Sequence, residues 1–128
     1  MSTVLRHVLL LQRDVPAAAR FYERGLGLGV TVCTERWAEL HDASDPSGDR
    51  RTVIALKAVE GEAQVSTGYS PLLSFTVKDM DSTVNNLLRL GAALDGPIKY
   101  PVQGKVAALR APDGHMLGLF EPADGWEQ

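Results

Sequence analysis

The chain has 128 residues, a length at which one domain can bury a substantial hydrophobic core. Its 45% hydrophobic and 23% charged residues are typical of a soluble globular protein, and the longest apolar run near the N-terminus is too short to cross a membrane. The net charge of −3, with basic residues scattered along the chain, gives no reason to expect a nucleic acid partner.

The single cysteine, Cys33, excludes an intrachain disulfide and any zinc motif that needs two cysteines. A lone thiol fits a reducing compartment. The apolar run in VLRHVLLLQRD (4–14) is interrupted by Arg6 and His7 and lacks a cleavage site of small residues, so it does not resemble a signal peptide. We therefore expect a cytoplasmic protein.

The first element predicted along the chain is a buried strand at 4–12 (VLRHVLLLQ), because these residues are mainly aliphatic or β-branched. A helix is expected next, since Asp14 can cap its first turn and Pro16 suits that turn. Gly25 is the expected stop of this helix. The apolar residues at core spacing within it are Ala18, Phe21 and Tyr22.

Three further strands complete the first half of the chain. They are predicted at 30–35 (VTVCTE), 37–42 (WAELHD) and 52–59 (TVIALKAV). A polar turn region, DASDPSGDRR (42–51), separates the last two strands. The polar segment at 60–70, with two glycines, is predicted to be a linker.

The second half of the chain repeats this order of elements. A strand is predicted at 72–79 and a helix at 80–91, the latter with Val84, Leu87 and Leu88 facing inward. Three short strands follow, at 98–102, 105–111 and 115–121, and the APDG sequence (111–114) has good turn chemistry. His115, which comes directly after this turn, is expected to be exposed.

The two halves are related by an internal repeat. A shift of 65 residues places Arg13-Asp14 on Lys78-Asp79, and a shift of 63 places VIALK (53–57) on MLGLF (116–120). The sequence therefore predicts an α+β fold of two βαβββ modules in tandem. We expect one domain over 1–128, with module one at about 1–60, a linker at about 60–70 and module two at about 71–123.

This arrangement resembles the vicinal oxygen chelate superfamily, which contains glyoxalases, extradiol dioxygenases and fosfomycin- and bleomycin-resistance proteins. The resemblance covers nearly the whole chain and is most specific in HVLLLQRDVPAAARFYERGLGL (7–28) and APDGHMLGLFEP (111–122). It implies the glyoxalase/bleomycin-resistance fold, in which each module curls into a half-barrel, and it implies a homodimer. It does not assign one activity, because one fold hosts many chemistries.

In the metal-dependent members, the resemblance implies a divalent metal held by one residue in each of four strands. These are His or Gln in the first strand, Glu in the fourth, His in the fifth and Glu in the eighth. The matching positions here are His7, Ala55, Leu72 and Gly118, of which three offer no ligand atom. An identical partner chain would offer the same residues, so we expect no bound metal and no cofactor.

The strand around Glu39 adds polar groups to the candidate site. Glu39 alternates with Trp37 and His41, so the three side chains share one face of that strand. If this face points inward, His7 and Glu39 are candidate catalytic acid–base groups. If it points outward, Trp37 is a candidate dimer contact, because aromatic residues are enriched at interfaces.

The rest of the expected ligand pocket is apolar. Small residues at 55 and 118 leave room where the carboxylates of the family would stand, which suits a small-molecule cavity with few polar groups. The predicted lining comprises His7, Trp37, Glu39, Val53, Ala55, Lys57, Leu72, Met116, Gly118 and Phe120.

Four functions are consistent with this sequence. The favoured one is a protein of this fold that has lost the metal chelate and binds a small organic molecule. The others are a divalent-metal-dependent lyase, isomerase or dioxygenase with atypical ligands, a metal-independent enzyme that uses His7 as acid–base, and an interaction domain without a ligand. In the favoured case the partner is a small molecule and the protein is a homodimer, with neither nucleic acid nor membrane involved.

Overall fold

The computed structural model of the protein describes residue 3 and the ranges 5–42, 53–61, 64–65 and 68–124. The chain divides into two compact units, Met1–Ser66 and Thr67–Gln128, which we call the first and second modules. Within the described residues, each module contains one α-helix and one four-stranded sheet. The predicted α+β fold of two tandem βαβββ modules is therefore confirmed.

The elements of the first module are β1 (His7–Gln12), α1 (Val15–Leu26), β2 (Gly29–Cys33), β3 (Trp37–His41) and β4 (Val53–Ala58). The strand order in its sheet is β1-β4-β3-β2. β1 runs parallel to β4, and the other neighbours are antiparallel. β4 therefore lies between β1 and β3, although it is the last strand of the first module along the chain. Apart from Asp42, the turn region predicted at 42–51 lies outside the described residues.

Helix α1 begins as predicted and ends later. The side chain of Asp14 accepts a hydrogen bond of 3.0 Å from the backbone N–H of Ala17, so Asp14 is the N-cap. The prediction that the helix stops at Gly25 is wrong, because the helix continues to Leu26 and Gly25 is buried within it. Gly27 ends the helix in the left-handed conformation, with φ at 72°, a region that glycine enters without steric cost.

The second module has the same order of elements. They are β5 (Leu72–Thr76), α2 (Met80–Arg89), β6 (Ala93–Leu94), β7 (Gly104–Arg110) and β8 (Met116–Pro122). Its strand order is β5-β8-β7-β6, with β5 parallel to β8 and the other neighbours antiparallel. The last strand of the module again lies beside the first.

The strand predicted at 98–102 is wrong, because β6 lies earlier, at Ala93–Leu94, and pairs with the C-terminal end of β7. Within 98–102, Lys99 forms an isolated bridge to Val106. A proline stands two residues before Lys99 and another two residues after it. Proline has no N–H with which to extend a ladder, so the bridge does not grow into a strand.

Two predicted exposures in the second module are also wrong. Leu88, expected to face inward, is 39% exposed, and Met80 at the start of α2 is fully buried. His115, expected to be exposed, is only 5% exposed. Its backbone carbonyl accepts a 2.8 Å hydrogen bond from the N–H of Ala111, so the pairing of the hairpin extends to His115. Strand alternation then places His115 on the same face as Leu117, which is buried.

Helix α2 is capped like α1. The Asp79 side chain accepts a hydrogen bond of 3.1 Å from the backbone N–H of Ser82. Hydrogen bonds from the Ser82 backbone and side chain lower the pKa of the Asp79 carboxyl below its ordinary value, because they favour the charged form. Of the helices in the described part of the chain, none is long and apolar enough to cross a lipid bilayer.

The register of the strands follows the sequence repeat. In the first module His7 stands opposite Val53, and in the second Leu72 stands opposite Met116. These two pairs are related by the shifts of 65 and 63 residues found in the sequence. The internal repeat is therefore a repeat of strand pairing as well as of element order.

Each sheet has one face covered by its helix and one face away from it. The helix-covered face supplies most of the large buried strand residues, because α1 contacts β3 and β4 and α2 contacts β8. Those residues include Leu10, Leu40, Leu56, Leu109, Leu117 and Leu119. We call the other face the distal face. Strand alternation places the odd-numbered residues of β1, β3 and β4 on it in the first module, and the even-numbered residues of β5, β7 and β8 in the second.

Candidate functional site

The ten residues predicted to line a pocket all occupy distal-face positions, six in the first module and four in the second. The first six are His7, Trp37, Glu39, Val53, Ala55 and Lys57, and the other four are Leu72, Met116, Gly118 and Phe120. For Val53 the structure gives the backbone pairing with His7, and its side chain lies outside the described part.

In the first module, the rings of His7 and Trp37 meet across the sheet. Their centroids are 5.6 Å apart and their planes make an angle of 61°, an edge-to-face contact. His7 lies on β1 and Trp37 on β3, with β4 between them. On β4, His7 pairs with Val53 and Trp37 pairs with Lys57. Ala55 lies midway between these two partners on the same face, so the rings meet over Ala55. Ala55 is fully buried, and its methyl group leaves the space that the rings occupy.

Glu39 joins this contact through the indole. The Nε1–H of Trp37 donates a hydrogen bond of 2.9 Å to Oε2 of Glu39, two residues further along β3. Glu39 also pairs with Ala55 across the sheet, so all three side chains surround the same small residue. We call His7, Trp37 and Glu39 the distal cluster.

The distal cluster keeps hydrogen-bonding groups that its own members do not use. Within the described residues, neither ring nitrogen of His7 has a hydrogen-bond partner, and Oε1 of Glu39 has none. An imidazole can donate at one nitrogen and accept at the other, and a carboxylate oxygen accepts. All three residues are half-buried, so these groups line a partly desolvated surface. Such an arrangement can bind a polar organic molecule or exchange a proton with it.

His41 shares this face but does not join the distal cluster. Its ring lies against Gly29 on β2, where any side chain at 29 would collide with it. Its Nδ1 lies 3.1 Å from the backbone oxygen of Asp42. Of the three residues that alternate along β3, Trp37 and Glu39 therefore lie with His7, whereas the His41 ring lies over β2 at the edge of the sheet.

The four positions that correspond to the ligands of the family do not fit a chelate. His7 offers an imidazole, and Ala55, Leu72 and Gly118 offer no donor atom. Among the residues that the structure describes, no group of three or more His, Cys, Asp or Glu side chains is placed to hold a metal ion. A catalytic divalent metal normally takes about three protein ligands.

The distal face of the second module is mainly apolar. Leu72 is 53% exposed, whereas Met116, its pairing partner, is buried. A Cβ placed on Gly118 would have its nearest neighbour, Oγ of Ser74, at 3.7 Å, which is ordinary contact. Phe120 is half-buried on the same strand. This face therefore has a small residue at the matching position of the repeat, and among the described residues its nearest neighbours come from β5.

One charged residue on this second face was missed by the sequence analysis. Arg110 pairs with Met116 at the end of β7. Its guanidinium donates a 2.8 Å hydrogen bond to the backbone oxygen of Gly114 and lies 5.6 Å from the ring centre of Tyr69. Alternation within KVAALRA places residue 110 on the face of residues 106 and 108, and this signal was available in the sequence.

Sequence comparison identifies a family for this chain. The sequence model of the Glyoxalase/Bleomycin resistance protein/Dioxygenase superfamily matches residues 4–119. No curated protein matches the chain at a significant level.

Solved structures share the fold at low sequence identity. A glyoxalase/bleomycin resistance protein/dioxygenase family enzyme from Burkholderia phytofirmans has a TM-score of 0.76 at 19% identity, covering 94% of this chain and 100% of that one. The fosfomycin resistance protein FosX from Mesorhizobium loti has a TM-score of 0.68 at 20% identity, with 96% and 95% coverage. The bleomycin-binding protein from Streptomyces verticillus has a TM-score of 0.62 at 18% identity, with 96% and 100% coverage.

Proposed function

The chain belongs to the glyoxalase/bleomycin resistance protein/dioxygenase superfamily, and we propose that it is a member that has lost the metal chelate and binds a small organic molecule. The observation that carries this proposal is the distal cluster, in which an imidazole, an indole and a carboxylate surround a buried alanine and keep unused hydrogen-bonding groups. A partly buried surface with a few polar groups on an apolar floor suits a small organic ligand.

The position of Ala55 supports the loss of the chelate. In the metal-dependent members this position carries a carboxylate, whereas here the rings of His7 and Trp37 meet over a methyl group. An aromatic contact over this position leaves little room for a metal-binding carboxylate, which supports the proposed loss. Simple replacement of one ligand would not restore a metal site.

The names of two proteins with this fold support a small organic ligand. The Streptomyces verticillus protein is a bleomycin-binding protein that was solved with copper(II)-bleomycin. The Mesorhizobium loti protein is a fosfomycin resistance protein. Both names refer to small organic molecules, and we propose a ligand of that size class for this chain.

A second candidate is a metal-independent enzyme in which His7 acts as acid–base. It is favoured by the absence, within the described residues, of a hydrogen-bond partner for the imidazole. Histidine is a common proton-transfer group in catalysis. In this version Glu39, held in place by Trp37, is the second proton-transfer group.

We further propose that the protein is a cytoplasmic homodimer. Cys33 is a free, exposed thiol, which is compatible with a reducing compartment. Exposed apolar side chains in the first module, including Leu5 at 63% just before β1, supply surface of the kind that subunit contacts cover. Light scattering on the purified protein measures the mass directly, and a monomer at micromolar concentration would refute the dimer.

Metal analysis and ligand screening test the proposed function together. Protein purified without a histidine tag is analysed for metal before and after incubation with Ni²⁺, Zn²⁺, Mn²⁺ and Fe²⁺, and a library of small molecules is screened by thermal shift. We expect metal at background level and at least one compound that raises the melting temperature, because binding to the folded state stabilises it.

Two variants, tested in the same thermal-shift assay, show whether the compound binds at the distal cluster. Trp37→Ala should abolish the shift, whereas His41→Ala, an imidazole on the same face outside the distal cluster, should keep it. Stoichiometric metal that disappears in His7→Ala would overturn the proposal and favour a metal-dependent enzyme.

A further inference from the structure

The distal face of the first sheet carries two opposite charges on neighbouring strands. Glu39 on β3 stands opposite Ala55, and Lys57 on β4 stands opposite Trp37. Glu39 and Lys57 are therefore diagonal neighbours on one face, a relation that places backbones about 7–8 Å apart. Both side chains reach the same surface.

These charges do not neutralise each other. Within the described residues, no ion pair joins Lys57 to Glu39, and the Lys57 ammonium has no other hydrogen-bond or ionic partner. The Glu39 carboxylate is instead held through Oε2 by the indole N–H of Trp37. Its Oε1 is left to accept a hydrogen bond, and a charged donor makes the stronger bond to a carboxylate.

The indole of Trp37 lies beside both charges. Trp37 precedes Glu39 by two residues on the same strand and is paired with Lys57 on the next. It is half-buried, so part of its surface is accessible, and the ring of His7 packs against it. A flat apolar group placed on this surface would have a carboxylate at one side and an ammonium at the other.

Resting on the proposed function, we infer that the ligand of the first module is amphoteric: an organic molecule with an aromatic or apolar body, a cationic nitrogen and an anionic group. The cationic nitrogen donates to Oε1 of Glu39, the body packs on Trp37, and the anionic group accepts from Lys57. His7 contributes one further hydrogen bond.

Ligands with a single charge fit this surface less well. A purely cationic molecule at Glu39 would lie close to the Lys57 ammonium, and a purely anionic one at Lys57 would lie close to Glu39. The spacing of the two residues is within the Debye length, about 8 Å at physiological ionic strength, so these repulsions persist in solution. A molecule with both charges converts both repulsions into attractions.

Four matched probes test this inference. They share a benzene ring and differ in charge: 4-(aminomethyl)benzoate is amphoteric, benzylamine is cationic, benzoate is anionic and benzyl alcohol is neutral. Binding is followed by NMR through the indole N–H resonance of Trp37, which is assigned with Trp37→Phe, while Trp126 supplies a second indole signal for reference. We expect 4-(aminomethyl)benzoate to bind about tenfold more tightly than benzylamine or benzoate.

Variants that remove one charge each show which residue binds the ammonium group of the probe and which binds its carboxylate. Glu39→Gln should make 4-(aminomethyl)benzoate bind no better than benzoate, and Lys57→Gln should make it bind no better than benzylamine. The matched controls, Glu23→Gln on α1 and Lys99→Gln in the second module, remove exposed charges elsewhere and should leave the preference unchanged. Lys57 is exposed, so its variant stays informative if Glu39→Gln disturbs the fold.

The outcomes separate this inference from the proposed function. Equal binding of the four probes, or a preference that survives both Glu39→Gln and Lys57→Gln, would overturn the amphoteric ligand. If the library yields a compound that binds at Trp37 while the probes do not, the inference is wrong and the proposed function stands. If neither the library nor the probes bind, both are wrong.

Discussion

The two modules have the same strand order and the same register, but their distal faces carry different chemistry. In the first, His7, Trp37 and Glu39 form a connected polar cluster over a buried alanine. In the second, the matching strand positions hold Leu72 and Gly118, and the described atoms nearest to a Cβ built on Gly118 belong to Ser74 and Leu73. The helix-covered faces, by contrast, both supply fully buried leucines, such as Leu10 and Leu56 in the first module and Leu117 and Leu119 in the second.

This difference shows that the repeat is maintained by packing beneath the helix. Burial of leucine side chains stabilises a module whatever the distal face carries, at about 25 cal/mol per Å² of apolar surface. The distal face contributes less to that core, so its residues can differ without loss of the fold. Function is therefore better sought where the two modules differ than where they agree.

The largest expected effect comes from adding charge at the two matching distal positions. Ala55→Glu places a carboxylate under the rings of His7 and Trp37 and should lower the free energy of unfolding by about 3–5 kcal/mol, because the charge would be buried without a partner. Gly118→Glu, where an added Cβ meets only ordinary contact, should cost about 1 kcal/mol. Urea unfolding measures both, and equal losses would contradict the difference between the faces.

Truncation of the helix-covered face should affect both modules alike. Leu56→Ala and Leu119→Ala each remove a fully buried side chain and should cost about 3 kcal/mol. Leu72→Ala, on the distal face and 53% exposed, should cost about 1 kcal/mol or less. Chemical denaturation again gives the comparison. A cost for Leu72→Ala as large as that of the two core variants would show that the distal face is core as well.

Removal of the indole hydrogen bond should give a smaller, local effect. Trp37→Phe keeps an aromatic ring but removes the donor to Glu39, and should cost about 1 kcal/mol. A double-mutant cycle with Glu39→Ala, which removes the acceptor, should give a coupling of about 0.5–1.5 kcal/mol. Additive losses in the cycle would mean that the hydrogen bond contributes nothing to stability. Trp126→Phe serves as the control for loss of an indole elsewhere.

The smallest effect concerns acid stability and the cap of α2. Hydrogen bonds from Ser82 lower the pKa of Asp79 below its ordinary value of 3.8, so its contribution to stability is present above that pH and is lost as the pH falls through the lowered pKa. Asp79→Asn should remove this part of the acid dependence. NMR titration of the Asp79 carboxyl in the folded protein measures the pKa, and a value at or above 3.8 would contradict the shift.

The order of the elements was predictable because it depends on local patterns. Alternating and helical spacing, the aspartates at 14 and 79 and the turn at 111–114 each act within a few residues. The wrong predictions concern features that depend on pairing between distant parts of the module. β6 is formed by pairing with the end of β7, and His115 is buried by continuation of the sheet, and neither is visible in local composition.

The candidate site was predictable only in part. Alternation along β3 placed Trp37 and Glu39 on one face, and the repeat placed Ala55 and Gly118 at matching positions. The contact between His7 and Trp37 depends on how far β1 and β3 are offset across β4, which no local pattern reports. The assignment of these residues to ligand binding stays a prediction.

The insertion of β4 between β1 and β3 has a consequence for how the first module is assembled. β1 is the first strand of this module to be synthesised, but its neighbour in the sheet is β4, which is synthesised last. β1 can therefore pair only after the rest of the module has been made. Pairings between residues this far apart in the chain form slowly, because the intervening segment must first be ordered. The rings of His7 and Trp37 can meet only after β4 has been inserted. The fluorescence of Trp37 during refolding would therefore report the final closure of the sheet.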